Sequence, residues 1–194
     1  KITVDNTAPT VDITSPSNNS VLKGTVEIKG SVEDTNPDHY YYKIVDQDGK
    51  KIIDKTIYKY ESIIDEVIYT WDTTKVNNGT YKIQLEARDA ANNKGASSVK
   101  NITVIVDNLA PTTTLSSNLS NTFTNQPVLI SGQSIDTNGV YSVNIFYRVT
   151  GTTNWTHITT LNSTSNDYPY NWEYKWAPES DGTYDIKVSA TDIV

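Results

Sequence analysis

The sequence contains itself twice. Residues 3–10 read Thr-Val-Asp-Asn-Thr-Ala-Pro-Thr, and residues 105–112 read Ile-Val-Asp-Asn-Leu-Ala-Pro-Thr, 102 positions later. Val26, Ile28, Gly30, Asp34 and Asn36 return as Val128, Ile130, Gly132, Asp136 and Asn138 at the same offset. Asn78-Gly-Thr-Tyr81 returns as Asp181-Gly-Thr-Tyr184, one residue further on. Three blocks in one order and nearly one offset make the chain two tandem copies of a module of about a hundred residues, because a repeat of this kind is one structural unit copied.

Each copy is built for strands. Val, Ile and Thr supply 63 of the 194 residues, against 15 for Leu and Ala together. β-branched side chains restrict helices and pack well on a pleated surface. In the first copy strands are expected near 10–14, 24–33, 40–46, 51–58, 66–71, 80–88 and 97–106. The clearest alternates Tyr81, Ile83, Leu85 and Ala87 with Lys82, Gln84, Glu86 and Arg88, and the second copy repeats the apolar set as Tyr184, Ile186, Val188 and Ala190. Period-2 alternation gives one dry and one wet face. A single sheet cannot bury the dry face, so two sheets stack. Trp71 and Trp176 end the preceding strand of each copy and are expected in the core.

Several function classes are excluded or left without support. The absence of Cys removes disulfides and thiolate chemistry. A net charge of −7 argues against nucleic acid, which needs a basic footprint. No apolar run approaches the length of a membrane span. No GxSxG, HExxH, P-loop or GxGxxG sequence occurs, and the two histidines, His39 and His157, occupy non-equivalent positions. The chain is therefore not expected to be an enzyme.

The linker Val-Asp-Asn-x-Ala-Pro-Thr at 4–10 and 106–112, with the run Trp-Asp-Thr-Thr…Asn-Gly-Thr-Tyr-Lys-Ile across 71–83, resembles the tandem bacterial Ig-like domains of prokaryotic cell-surface proteins. The resemblance implies an all-β fold of two Ig-like β-sandwiches, related to fibronectin III and cadherin modules. Asn78-Gly-Thr-Tyr81 and Asp181-Gly-Thr-Tyr184 then fit the tyrosine corner of such sandwiches, with Gly supplying positive φ. By register, residues 1–4 are a strand remnant of a preceding module or a donor strand, 5–106 the first domain, and 107–194 the second domain without its final strand. The resemblance also implies an extracellular, cell-surface location and a non-catalytic role as a rigid spacer, as in adhesins and surface layers. The expected partners are neighbouring Ig-like modules or copies of the chain itself. One alternative is a self-assembling filament or surface-layer subunit using head-to-tail donor-strand complementation, residues 1–4 of one molecule filling the edge of the next. Another is a glycan-binding or accessory module of a secreted hydrolase.

Three acidic positions recur. Asp5 and Asp107 lie in the linkers, Asp34 and Asp136 after the second strand, Asp89 and Asp192 after the strand that follows the tyrosine corner. In an Ig-like sandwich these meet at one pole. Hard oxygen ligands in loops suit Ca2+, while Asp and Asn are also ordinary turn formers. Tyr170, Trp172, Tyr174 and Trp176 share one strand face. They are either a platform for sugar rings on a cell-surface glycan or core and cross-strand packing. Lysines on early strands with Asn101 on the last strand suggest an intramolecular isopeptide bond, for which no carboxylate partner is evident.

Overall fold

The computed structural model describes residues 2–119, 124–164 and 168–194; Lys1, the first residue of the expected donor segment, lies outside the described residues. The chain divides into two compact units, residues 1–108 and 109–193. Both are all-β.

The first unit carries eight strands: β1 (Thr10–Ser15), β2 (Val21–Leu22), β3 (Thr25–Glu33), β4 (Pro37–Asp46), β5 (Lys51–Tyr58), β6 (Ile63–Asp72), β7 (Gly79–Asp89) and β8 (Val99–Val106). One sheet runs β1-β3-β6 and the other β2-β8-β7-β4-β5. Pairing is antiparallel except between β2 and β8, which run parallel. The seven expected strands are all present. The short β2 carries no periodicity of its own, and only its pairing with Ile105 and Val106 makes it a strand. β6 starts at Ile63, earlier than expected, because a register shift between Gly30 and Val32 and the positive φ of Asp65 interrupt its alternation.

Between the sheets lie Ile28, Tyr42, Ile44, Trp71, Tyr81, Ile83, Leu85, Ile102, Val104 and Val106, all buried. Each such side chain contributes roughly 1.5–3 kcal/mol when taken from water. The Trp71 ring meets Tyr81 edge-on at 5.3 Å, and the Tyr81 hydroxyl donates to the Asn77 carbonyl at 2.7 Å. This is the expected corner, with Gly79 at φ +146.

The second unit holds β9 (Thr112–Leu115), β10 (Val128–Ile135), β11 (Val140–Val149), β12 (Thr156–Asn162), β13 (Tyr170–Trp176) and β14 (Tyr184–Asp192). Its sheets are β13-β10-β9 and β12-β11-β14, antiparallel throughout. The Trp176–Tyr184 edge contact and the Tyr184 hydroxyl bond to the Ser180 carbonyl repeat the corner. Gly30 and Gly132 occupy matching places in β3 and β10. A Cβ on Gly30 would lie 2.7 Å from the Asp12 carbonyl oxygen; one on Gly132 would lie 2.2 Å from that of Thr114 and 2.4 Å from the Trp172 ring. The repeated Gly is thus a close approach of neighbouring strands, which no side chain allows.

Candidate functional site

The two ends of the first unit carry its most organised polar chemistry. Where β3 and β7 end, Asp34 and Asp89 meet Asp5 of the incoming segment. One carboxylate oxygen from each lies within 4.8 Å of the others. Asp89 is 2% exposed, while Asp5 and Asp34 are half-buried. Amides surround the group. Thr7 N and Asn36 Nδ2 donate to Asp5 at 3.0 and 2.7 Å. Asn36 N donates to Asp34 at 2.7 Å. Asn93 donates to both oxygens of Asp89, through its backbone N and its Nδ2, each at 2.7 Å. The Thr7 amide, then the Asn36 side chain, holds the Asp5 carboxyl below the ordinary aspartate value, because hydrogen bonds to the charged form favour it. The same Asn93 Nδ2 reaches the Asp5 carbonyl, and Ser97 and Ser98 donate to the Pro9 carbonyl. The incoming segment is therefore bound to the loop between β7 and β8. Three carboxylates supply fewer than the six to eight oxygens that Ca2+ takes, and amide donors already engage each of them.

At the opposite end the outgoing segment is clasped as firmly. Asp107 is buried; its N donates to the Leu22 carbonyl at 2.9 Å, and its carboxylate accepts from Asn78 Nδ2 at 2.6 Å. Asn108 N donates to Asn78 Oδ1 at 3.0 Å. The Asn108 Oδ1 accepts from Gly24 N at 2.9 Å and Thr73 Oγ1 at 3.2 Å, and its Nδ2 donates to the Thr73 carbonyl at 3.1 Å. Thr73 is buried and begins a 3-10 turn capped by the Asp72 side chain. Sequence reasoning missed this clasp and read Asn78 as a turn residue. The available signal was the Asp-Asn pair that follows a buried Val at both linkers.

The other expected residues are placed as follows. Asp136 and Asp192 belong to the second unit and are buried; Asp136 accepts from Asn138 N at 2.8 Å. The face of β13 points inward. Trp172 and Trp176 are buried, Tyr170 and Tyr174 half-buried, and all four pack in the second core. Trp172 Nε1 donates to the buried Ser134 hydroxyl at 3.0 Å. Asn101 is exposed and stands opposite Gln84, so it has none of the burial that an isopeptide bond needs. His39 bridges Asp38 Oδ2 at 2.6 Å and the Tyr41 hydroxyl at 2.9 Å. Next to it, on the outer face of the larger sheet, a shallow cup of 230 Å3 is lined by Tyr41, Lys43, Lys51, Asp54, Gln84 and Glu86.

Comparison with known proteins gives two family matches. A profile described as bacterial Ig-like domain (group 3) matches residues 65–194, and one described as bacterial Ig domain matches residues 9–85. No curated protein matches the chain. Among solved structures, the fibronectin(III)-like modules of Clostridium thermocellum CbhA are 19% identical, with 94% of this chain and 86% of that one covered and a TM-score of 0.40. The FN1–FN3 domains of chicken CNTN1 are 13% identical, with 98% and 62% covered and a TM-score of 0.42. No helix is long and apolar enough to cross a membrane.

Proposed function

The chain belongs to the bacterial Ig-like domain family, and from that premise we propose that it is a non-catalytic structural module, a stiff spacer in an extracellular surface protein whose partners are neighbouring modules of the same kind. The observation that carries this reading is the clasp on Asp107 and Asn108. Six hydrogen bonds, made by Leu22, Gly24, Thr73 and Asn78, hold two residues that would otherwise be free linker. Only residues 109–111 then separate the first unit from β9, and Pro111 fixes its own φ and restricts Ala110. A short, restricted connection transmits orientation where a long polar one does not. Because the chain has no Cys, spin labels placed through Thr56→Cys and Thr159→Cys are unique. A narrow distance distribution that broadens with Asn108→Ala is the expected result; a broad distribution unchanged by that substitution defeats the reading.

The Asp5, Asp34 and Asp89 pole is proposed to anchor the incoming segment through its amides, with Ca2+ as an added ligand to be tested. Melting in Ca2+ and in chelator decides between them: an unchanged midpoint assigns the pole to the amide network alone.

Head-to-tail strand exchange has a physical argument against it. Asp181 stands where Asn78 donates to Asp107, and Pro178 follows Trp176 where Thr73 follows Trp71 by two residues. Asp5 of a second copy would meet a carboxylate instead of an amide. Analytical ultracentrifugation at high concentration is expected to give a monomer.

A second reading rests on the cup beside Tyr41. It offers an aromatic ring, two amines, two carboxylates and an amide, balanced in charge, which suits a polyhydroxylated ligand that needs donors and acceptors together. Tyr41→Ala abolishing retention on cell-wall polysaccharide would support a glycan-binding role; no retention by the unaltered chain would remove it.

A further inference from the structure

The first unit receives the chain at one pole and releases it at the other. β1 pairs Thr10 with Glu33, so the chain enters where β3 ends. β8 pairs Val106 with Gly79, so it leaves where β7 begins. A pull on the two ends therefore draws the N-terminal segment towards one pole and β8 towards the other. The segment leading into β2 and the end of β8 run side by side in the same direction. They are joined by Asn19 N to the Thr103 carbonyl at 2.7 Å, Ile105 N to the Ser20 carbonyl at 3.0 Å and Asp107 N to the Leu22 carbonyl at 2.9 Å. Asn18 Oδ1 adds a fourth bond, from Thr103 N at 2.8 Å. Inter-strand bonds lie across the strand direction. Such a pull loads all four sideways at once, and none can open before the others.

We infer that residues 18–22 and 103–107 form a shear clamp, which gives the first unit the function of bearing tension along the chain. The neighbouring contacts fit this load path. Ser98 Oγ donates to the Pro9 carbonyl at 2.8 Å, and Lys100 pairs with Asp12 at 2.8 Å, so β8 also grips the start of β1. The clasp on Asp107 and Asn108 delivers force arriving from residue 109 to the end of β8 and to Asn78 and Thr73, not to a loose tail. Forced unfolding is governed by the unfolding barrier, not by equilibrium stability. A clamp therefore raises rupture force without a matching rise in melting temperature. The inference deepens the spacer reading and rests on it for its biological sense, but its mechanics are separately measurable.

The test is single-molecule stretching of the whole chain, tethered at its two ends. The first unit is identified by its longer release, at about 3.5 Å for each residue freed. Ile105→Pro deletes the donor to Ser20 while leaving the residues that face β7. Its rupture force is expected to fall clearly below that of the unaltered chain. Asn18→Ala is expected to lower the force by a smaller amount with the melting temperature unchanged. Ile44→Val, in β4 and off the load path, is expected to lower the melting temperature and leave the force unchanged. If rupture force follows melting temperature across the three variants, or if Asn18→Ala leaves it unmoved, the clamp is refuted. Should Ile105→Pro fail to fold, Asn18→Ala decides alone. A refuted clamp leaves the spacer reading to its own spin-label distances, and a broad distance distribution leaves the clamp intact.

Discussion

β7 and β14 carry the same apolar sequence pattern and end in different surroundings. Tyr81, Ile83, Leu85 and Ala87 are buried, whereas Tyr184, Ile186, Val188 and Ala190 are half-exposed. The difference comes from what lies beside them. β8 covers β7 and contributes Ile102, Val104 and Val106 to the core. β14 pairs with β11 on one side, and among the described residues no strand pairs with the other. The second unit makes up part of the deficit with rings. Tyr147, Trp176 and Tyr184 contact one another at 5.1, 5.3 and 5.7 Å, and Trp172 fills the space over Gly132. Aromatic residues bury much area on few strands, which accounts for the dense stripe along β13. An alternating pattern thus specifies which face is dry but not how well that face is covered.

The comparison predicts two transitions in chemical denaturation, the second unit melting first. The sharpest way to break it is Trp71→Ala. Trp71 is 2% exposed, and truncating a buried Trp costs about 3–5 kcal/mol. The upper transition should fall by that amount and the lower one stay put. A single cooperative transition that shifts as a whole would show the two units to be thermodynamically one. Gly132→Ala is the converse experiment. Its new methyl would strike the Thr114 carbonyl and the Trp172 ring, and overpacking of that kind costs roughly 1–3 kcal/mol. Here only the lower transition should move, with a change in Trp fluorescence, since Trp155, Trp172 and Trp176 all lie in the second unit.

Much of this was legible before any coordinates. The offset of the repeat located the strands and the tyrosine corner, because turn chemistry and period-2 alternation are local. The same offset put Asp5, Asp34 and Asp89 at one pole, where the structure brings them together. The clasp was not legible. Asn78 reaches Asp107 across 29 residues and Asn108 reaches Thr73 across 35, and nothing in an Asn-Gly pair distinguishes a simple turn from a turn that also binds a distant linker. The stripe from Tyr170 to Trp176 was ambiguous for a related reason: spacing fixes a common face, and only the packing of β10 against β13 decides whether water sees it.

A smaller effect separates the two corners. Tyr81 and Tyr184 each donate to a backbone carbonyl four residues back, both at 2.7 Å, yet Tyr81 is buried and Tyr184 half-exposed. Removing a hydroxyl whose partner is then cut off from water costs about 0.5–1.5 kcal/mol or more. Where water replaces it, the loss is less. Tyr81→Phe should therefore destabilise its unit more than Tyr184→Phe does, and equal losses in paired denaturation curves would mean that the second corner is as dry as the first.

The smallest effect is electrostatic and belongs to the first unit alone. The Thr7 amide and the Asn36 side chain lower the Asp5 carboxyl below its ordinary value. A group whose folded value is depressed stabilises above the unfolded value and loses that stabilisation as pH falls through the folded one. The contribution of Asp5 is thus whole at neutral pH and disappears below about pH 4. Because Asp5 is partly open to solvent, salt screens the effect and it stays modest. Asp5→Asn removes the titrating group, so the upper transition of that variant should fall less steeply between about pH 4 and pH 2 than that of the unaltered chain. Asn36→Ala removes a donor to the charged form and should weaken the same dependence while keeping the carboxyl. If both variants titrate as the unaltered chain does, the incoming segment is held by Asn93 and the two serines, and Asp5 contributes shape without charge.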